Sequence, residues 1–211
     1  MEIKREKSVF INCPYDEDYR SIFDALIFTV VACGFMPKSA KGSIGDAKPR
    51  MQRITEELFS SKYSVHDLSR CRGEGDENLA RFNMPLELGI AVALRYSSDQ
   101  SQNDHDWCLL VIRGSGYKRF LSDLAGNDLR EYDEDQESAV RAVMRWLVVS
   151  PDAQANPPNP PQVLESLVPY HVAVTELRDQ WDQDPPWQYL VNQAIRVATD
   201  EGLIPETGVL A

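Results

Sequence analysis

The sequence lacks the features that mark several common classes of protein. Of its 211 residues only 22 are Lys or Arg, against 33 Asp or Glu, and the net charge is −11. Because non-specific affinity for nucleic acid comes from clustered basic residues, we expect no direct nucleic-acid binding, although a local pocket could still take a small anion. No hydrophobic run approaches the ~20 residues that span a bilayer, and the opening MEIKREKSVFIN lacks the apolar core of a signal peptide. We therefore expect a cytoplasmic protein that does not contact a membrane.

Metal and dinucleotide motifs are also missing. The cysteines form no CxxC pair, and no histidine completes a zinc pattern around Cys13, Cys33, Cys71 and Cys108. We interpret them as reduced thiols and expect neither a metal site nor a bound cofactor. The stretch NCPYDED at 12–18 is neither GxGxxG nor a Walker loop. It argues against a dinucleotide-binding domain of the usual Rossmann form.

Strand-like and helix-like segments alternate over about 140 residues. Apolar runs predict strands at 8–12, 35–40, 62–70, 106–114 and 127–133. Helical periodicity and end signals predict helices at 18–34, 47–61, 83–96, 117–126 and 134–150. This order predicts an α/β domain over 1–149, with an open parallel sheet of about five strands and helices on both faces.

The remainder of the chain differs in composition. The stretch SPDAQANPPNPPQ at 150–162 is rich in Pro, Asn and Ala and predicts a linker. Residues 163–211 predict a helical tail with helices at 163–181 and 185–202, too short for a secure core of its own. We expect this tail to pack on the domain or on another copy of the chain. Its aromatic residues fit either arrangement: Tyr170, Trp181, Trp187 and Tyr189.

Polar residues from several segments follow the predicted strands. In open α/β sheets, ligands bind outside the carboxyl ends of the strands. At this edge the sequence places Asn12, Cys13, Pro14, Tyr15 and Asp16 after the first strand, Asp67, Ser69 and Arg70 after the third, and Arg81, Phe82, Asn83 and Glu87 at the third helix. We expect these residues to form a substrate site.

Glu87 is the one charge in the stretch FNMPLELGIAVAL. Asn83 is placed to cap the helix, and Glu87 lies one residue too far on to complete a capping box. The helix dipole offers a carboxylate about 0.3–1 kcal/mol, which is less than the cost of burying an unpaired charge. A structural glutamate should therefore face water, whereas a functional one would face a pocket. We expect the pocket, with Glu87 kept ionised by the helix N-terminus.

Each other candidate has a structural alternative. Asp67 could supply acid–base chemistry or be a turn residue after its strand. Asn12 could hold a ligand hydroxyl or tie down its own turn, and Tyr15 could line a pocket. Cys13 has no histidine nearby in the sequence to activate its thiol, so we do not expect it to act as a nucleophile.

Several motifs resemble a known superfamily. The run MPLELGIAVAL resembles the helix of nucleoside 2-deoxyribosyltransferases that begins with Glu-Leu-Gly, and KSVFINCPYDEDY resembles the first strand and turn of those enzymes and of TIR domains. With SVHDLSR, RFNMPLELG and AGNDLREY, the region 8–149 also looks like bacterial TIR-like proteins of unknown or defence-related role. The resemblance implies a flavodoxin-like fold and a homo-oligomer, because relatives of this fold complete their sites across subunits.

The resemblance also implies an N-glycosidic reaction. The position that matches the family's catalytic glutamate is Glu87, and the turn 12–16 would line the sugar or base site. Asp67 is our candidate to assist the departing base, and Arg81, or Arg70 with Arg72, would favour a nucleotide over a free nucleoside. NAD enters as a possible substrate, not as a cofactor. The alternative is a non-catalytic module that binds a nucleotide or signals through TIR-like assembly.

Overall fold

The computed structural model describes residues 4–42, 47–71, 82–117 and 129–205. Its strands form one parallel sheet in the order β2-β1-β3-β4-β5. Their bounds are β1 (Ser8–Asn12), β2 (Met36–Lys38), β3 (Tyr63–Asp67), β4 (Asp106–Ile112) and β5 (Arg130–Tyr132). This strand order is the flavodoxin-like one, so the predicted fold class is confirmed.

Helices cover both faces of the sheet. They are α1 (Arg20–Ala32), α2 (Arg50–Phe59), α3 (Asn83–Arg95), α4 (Gln136–Leu147), α5 (Pro160–Trp181) and α6 (Trp187–Asp200). The helix predicted at 117–126 lies, apart from Tyr117, outside the described residues. No helix in the described ranges is both long and apolar enough to cross a membrane.

Side-chain alternation along the strands sets the two layers of the core. In β1, Val9 and Ile11 pack into the cluster that contains the buried sides of α1 and α4, whereas Phe10 packs with α2 and α3. Every residue of β1 is buried, as expected for a central parallel strand whose two faces are both covered. The continuous apolar run in the sequence therefore has a direct structural cause.

Helix α1 lies between the sheet and the tail. It begins at Arg20, later than predicted, because residues Glu17–Tyr19 form a 3-10 turn in which the Asp16 carboxylate accepts a hydrogen bond from the Tyr19 backbone N–H. After its first two residues the whole helix is buried, which fits a helix packed on both sides. Gly34 follows it with φ +83°, a conformation that favours glycine, as the predicted C-cap requires.

The tail helices pack on α1 of the same chain. Tyr170 in α5 stacks on Phe28, with ring centroids 5.0 Å apart, and Arg178 forms a two-pronged ion pair with Asp24, at 2.7 and 3.0 Å. In α6, Trp187 lies 5.9 Å from the Phe23 ring. The other two tail aromatics, Trp181 and Tyr189, contact each other and stay 38% and 43% exposed.

The segment predicted as a linker is held against the domain. The Asp152 carboxylate accepts hydrogen bonds from Lys62 and from the Tyr63 hydroxyl, and Gln154 donates to two backbone carbonyl groups. Helix α5 begins at Pro160, inside this segment, because Asn159 and Gln162 form a capping box. The letters NPPQ carry that signal: a capping side chain, proline in the first turn and a glutamine three residues on.

Candidate functional site

Glu87 lies on the buried side of α3, with Met84, Leu88 and Ala91. Its side chain is 3% exposed, and no described residue donates a hydrogen bond to the carboxylate or forms an ion pair with it. Burial raises the pKa of Glu87 to about 7, and the positive charge of Arg50 offsets part of that effect. The expectation that the helix N-terminus keeps Glu87 ionised is therefore corrected: near neutral pH the group divides between its two forms.

The start of α3 explains this correction. Helix α3 begins at Asn83, and neither Asn83 nor Phe82 forms a side-chain cap. Glu87 thus lies in the second turn, where the stabilising effect of the helix dipole on a carboxylate has fallen off. Desolvation of the charged form then dominates.

Tyr15 interacts electrostatically with Glu87 and contacts three residues that follow β2 or begin α2. The Tyr15 hydroxyl is 2.9 Å from the Ser39 hydroxyl. The Lys41 ammonium and the Arg50 guanidinium lie 5.2 and 5.8 Å from the centre of the Tyr15 ring. Burial raises the pKa of the Tyr15 phenol, an effect to which Glu87 adds and which Arg50 opposes. These contacts place one aromatic ring, two cations and the buried carboxylate in a single electrostatic environment.

Sequence reasoning missed Ser39, Lys41 and Arg50. They follow β2 or open α2, and β2 pairs with β1, so they emerge at the same edge as Asn12. The general rule about strand ends could have found them if the residues after the second strand had been considered with those after the first and third.

A chain of buried hydrogen bonds runs from the candidate site through the sheet. Asn12 Nδ2 is 2.9 Å from His66 Nδ1, His66 Nε2 is 2.9 Å from the Ser64 hydroxyl, and that hydroxyl is 2.9 Å from His105 Nε2. His105 Nδ1 is 3.0 Å from the Ser61 carbonyl oxygen. Because a carbonyl oxygen only accepts, His105 Nδ1 must carry the proton. His105 Nε2 then accepts from the Ser64 hydroxyl, and the Ser64 oxygen accepts from the N–H of His66 Nε2.

This chain fixes the orientation of the Asn12 amide. Burial lowers the pKa of His66 to about 3 and that of His105 to about 4, so both rings are neutral. His66 Nδ1 then accepts from Asn12, whose amide nitrogen also donates to the Met84 carbonyl oxygen at 3.3 Å. The amide oxygen of Asn12 is the atom left over as a hydrogen-bond acceptor.

Asp67 is enclosed by donors on the opposite side of the sheet from α3. Its Oδ2 accepts from the hydroxyls of Tyr19 and Tyr132, at 2.6 and 2.7 Å, and its Oδ1 accepts from the backbone N–H of Ser69 at 2.7 Å. Full burial raises the pKa of Asp67, and these hydrogen bonds oppose the rise. The arrangement ties the end of β3 to the turn before α1 and to β5, and it does not turn the carboxyl group toward Glu87.

The remaining residues of the turn after β1 are buried or form ion pairs within the fold. Cys13 is fully buried, and burial together with the charge of Asp67 raises the pKa of its thiol well above the ordinary value, so the thiol stays neutral. Pro14 is buried beside it. Asp16 forms an ion pair with Arg70, and Arg70 also pairs with Glu134.

The predicted site residues that precede Glu87 are either exposed or outside the described part of the chain. Phe82 is 78% exposed and Asn83 is exposed as well. Arg81 and Arg72 lie outside the described residues. The structure thus brings Asn12, Tyr15 and Glu87 to one edge of the sheet.

The described ranges contain no group of three or more side chains placed to bind a metal ion. Comparisons with protein-family models, with curated proteins and with solved structures find no match to this chain.

Proposed function

We propose that the chain is a cytoplasmic enzyme that breaks or transfers the N-glycosidic bond of a nucleotide or nucleoside. NAD and nucleoside phosphates are the proposed substrates, and Glu87 is the carboxylate that faces the anomeric carbon. The observation that carries the proposal is the burial of Glu87 without a partner. Buried polar groups are normally hydrogen-bonded, and an unpaired buried carboxylate costs stability.

The chemistry suits such a carboxylate. When a ribosyl C–N bond breaks, positive charge develops at the anomeric carbon, and a fixed anion in a site of low dielectric stabilises it. A pKa of about 7 would leave part of the population protonated in the free protein. A bound pyridinium base, being cationic, would shift Glu87 toward its ionised form, because an opposite charge lowers the pKa of a carboxyl group.

The position of Asp67 bears on which leaving group we propose. Both Asp67 oxygens are occupied by hydrogen bonds from Tyr19, Tyr132 and Ser69, which argues against its earlier assignment as the acid for the base. A base that leaves without protonation is therefore favoured. Nicotinamide has this property, and so NAD is the first substrate to test.

Other groups at the edge fit the rest of a nucleotide. The Asn12 amide oxygen could accept a hydrogen bond from a ribose hydroxyl, and the Tyr15 ring could lie against the sugar or the base. Arg50 is exposed at the rim and would attract a phosphate group. This is the role that the sequence assigned to Arg81, Arg70 or Arg72.

Base release tests the proposal. Wild type, Glu87→Gln and the control Glu176→Gln, at an exposed position on α5, would be incubated with NAD, nucleosides and nucleotides, and the products separated by chromatography. We expect release by wild type and control, and a loss of about 10²-fold or more in Glu87→Gln, because the substitution removes the stabilising charge. Equal release by all three proteins would contradict the role of Glu87. Ligand binding without release would favour the non-catalytic alternative.

One observation favours the second candidate function, a TIR-like assembly module. Helix α3 presents an exposed apolar stripe that consists of Phe82, Leu86, Gly89, Ala93 and Tyr96. Phe82, Leu86 and Tyr96 are 78%, 58% and 77% exposed. A contiguous exposed apolar surface is unusual on a monomer and marks interaction sites.

The order of residues in this stripe suits a second copy of the chain. In an antiparallel pair of α3 helices centred on Gly89, each Leu86 would meet the partner's Ala93 and each Phe82 would meet the partner's Tyr96. Two glycines would then meet at the crossing point, where they allow close approach. A two-fold interface requires this kind of self-complementarity, in which the same surface on each copy meets itself.

Sedimentation over a range of concentrations tests this pairing. We expect wild type to dimerise and Ala93→Arg to remain monomeric, because the new charge falls one turn from the crossing point, inside the interface. Val172→Arg is the matched control, at an apolar position of α5 that is 55% exposed. A monomeric wild type, or a dimer that Ala93→Arg leaves intact, would exclude the α3 interface.

A further inference from the structure

A cavity of about 350 Å³ lies between β5 and α4 and is lined by arginines. Arg113 follows β4, Arg130 opens β5, and Arg141 and Arg145 lie one turn apart on α4. Two acidic residues of the β5 region, Glu131 and Asp133, also line it. Four arginines around one cavity stand out in a chain whose net charge is −11.

Two of these arginines already form ion pairs with acidic side chains. Arg113 pairs with Asp133 at 2.8 Å and with Glu131 at 3.6 Å. Arg141 pairs with Glu137, one turn earlier on α4, at 2.8 Å. Glu131, Asp133 and Glu137 are thus already paired with Arg113 or Arg141.

Arg130 and Arg145 are different. Neither forms an ion pair or a hydrogen bond with any residue in the described ranges. Arg145 is exposed and Arg130 is half-buried, so their guanidinium groups bring two uncompensated positive charges to one concave surface. Two guanidinium groups without an ion-pair partner on a concave surface attract a negatively charged ligand.

The chemistry of arginine identifies the anion. A guanidinium group offers several N–H donors in a rigid planar fork, which matches the oxygens of a phosphate group. Two unpaired forks can hold a diphosphate or two sides of one phosphate. The cavity volume lies within the ~300–1,000 Å³ of small-molecule sites, which is more than a lone phosphate needs.

The space next to Arg130 indicates what else the ligand carries. Arg130 also lines a second cavity of about 340 Å³, together with Tyr96, Trp107 and Trp146. Asp106 lines it too, and its carboxylate accepts a hydrogen bond from the Trp146 indole at 3.1 Å. Aromatic side chains beside a cationic cavity suit a heteroaromatic base, which stacks on aromatic rings.

We propose that these two cavities form a binding site for a nucleoside di- or triphosphate, with the phosphates on Arg130 and Arg145 and the base among the aromatic residues. The site is distinct from that of Glu87: it is built from α4, β5 and the ends of α3 and β4, whereas Glu87 faces the turn after β1 and the start of α2. A ligand there would be an effector or a second substrate. The inference does not depend on the N-glycosidic reaction.

Titration calorimetry at constant ionic strength tests the site, with pyrophosphate and adenosine triphosphate as probes. We expect both to bind wild type, with the nucleotide tighter because it also fills the aromatic cavity. Arg145→Ala should weaken both about ten-fold or more, since it removes charged hydrogen bonds. Arg145→Lys should recover part of the loss. Because Arg145 is exposed, its replacement leaves the core intact even where Arg130→Ala fails to fold.

Arg196→Ala, at an exposed position of α6 outside both sites, is the matched control, and Arg50→Ala reports binding at the Glu87 site. Unchanged affinity in Arg196→Ala, together with a loss in Arg145→Ala, would locate the phosphates on α4 and β5. A loss in Arg50→Ala with unchanged affinity in Arg145→Ala would place them beside Glu87 and overturn the proposal. Failure of wild type to bind either probe would overturn it as well.

Discussion

The burial of Glu87 predicts a specific dependence of stability on pH. The pKa of Glu87 is raised from 4.5 to about 7 in the folded chain. The folded state therefore holds its proton between these two values while the unfolded state has released it. Glu87 therefore does not lower the free energy of unfolding below pH 4.5. Its destabilising effect grows as the pH rises toward 7 and is constant above that value.

The size of the effect follows from the same two values. At ~1.36 kcal/mol per pKa unit, the difference amounts to roughly 3 kcal/mol in the free energy of unfolding. Glu87→Gln has nearly the same shape and no titration. We therefore expect it to resemble wild type near pH 4.5 and to be more stable by about 3 kcal/mol at pH 8 and above.

Urea denaturation at pH 4.5, 6, 7 and 8.5 measures this difference. Glu176→Gln, at an exposed position, should follow wild type throughout. Because only the difference between variants is used, titration of other groups cancels. A Glu87→Gln protein that is less stable than wild type at pH 8.5, or one whose difference from wild type is constant with pH, would refute the assignment of Glu87 as an unpaired buried carboxyl group.

Two further results are expected. Asp24→Asn breaks the two-pronged ion pair with Arg178 that joins α5 to α1, and it should lower the free energy of unfolding by about 3 kcal/mol, measured with urea; a midpoint equal to that of Glu176→Gln would contradict it. Burial lowers the pKa of His105 from 6.5 to about 4 and that of His66 to about 3, so together they should lower the free energy of unfolding by roughly 6 kcal/mol as the pH drops from 6.5 to 4. Glu87→Gln is the background for this second measurement, because Glu87 titrates with the opposite effect, and stability that is flat from pH 6.5 to 4 would exclude two neutral buried histidines.

The sequence predicted the elements whose signals are local. The strand Ser8–Asn12 was predicted with its observed bounds, because an apolar run followed by Asn, Cys and Pro has few other interpretations. The start of α5 was missed by a few residues, although Asn159 and Gln162 carry a capping signal, because the prolines between them also suit a linker. Proline is common both in linkers and in the first turn of a helix, and this ambiguity accounts for the error.

The site was harder to predict, because its partners come from distant segments. Glu87 was singled out by its apolar neighbours, but its protonation depends on which face of α3 is turned away from water. The enclosure of Asp67 by Tyr19 and Tyr132 joins residues 48 and 65 positions apart. No pattern in a single sequence shows such pairings. Arg50 was not predicted for the same reason, because its contact with Tyr15 joins distant segments.

A comparison of three buried carboxyl groups supports the proposal that Glu87 marks the functional site. Asp24, Asp67 and Glu87 are 2%, 0% and 3% exposed. Asp24 has a guanidinium partner and Asp67 has three donors, so folding alone accounts for both. Glu87 has no partner within the described residues, and it costs the fold free energy at neutral pH. Since glutamine would fill the same space without that cost, we infer that the reason for a carboxylate lies in what binds beside it.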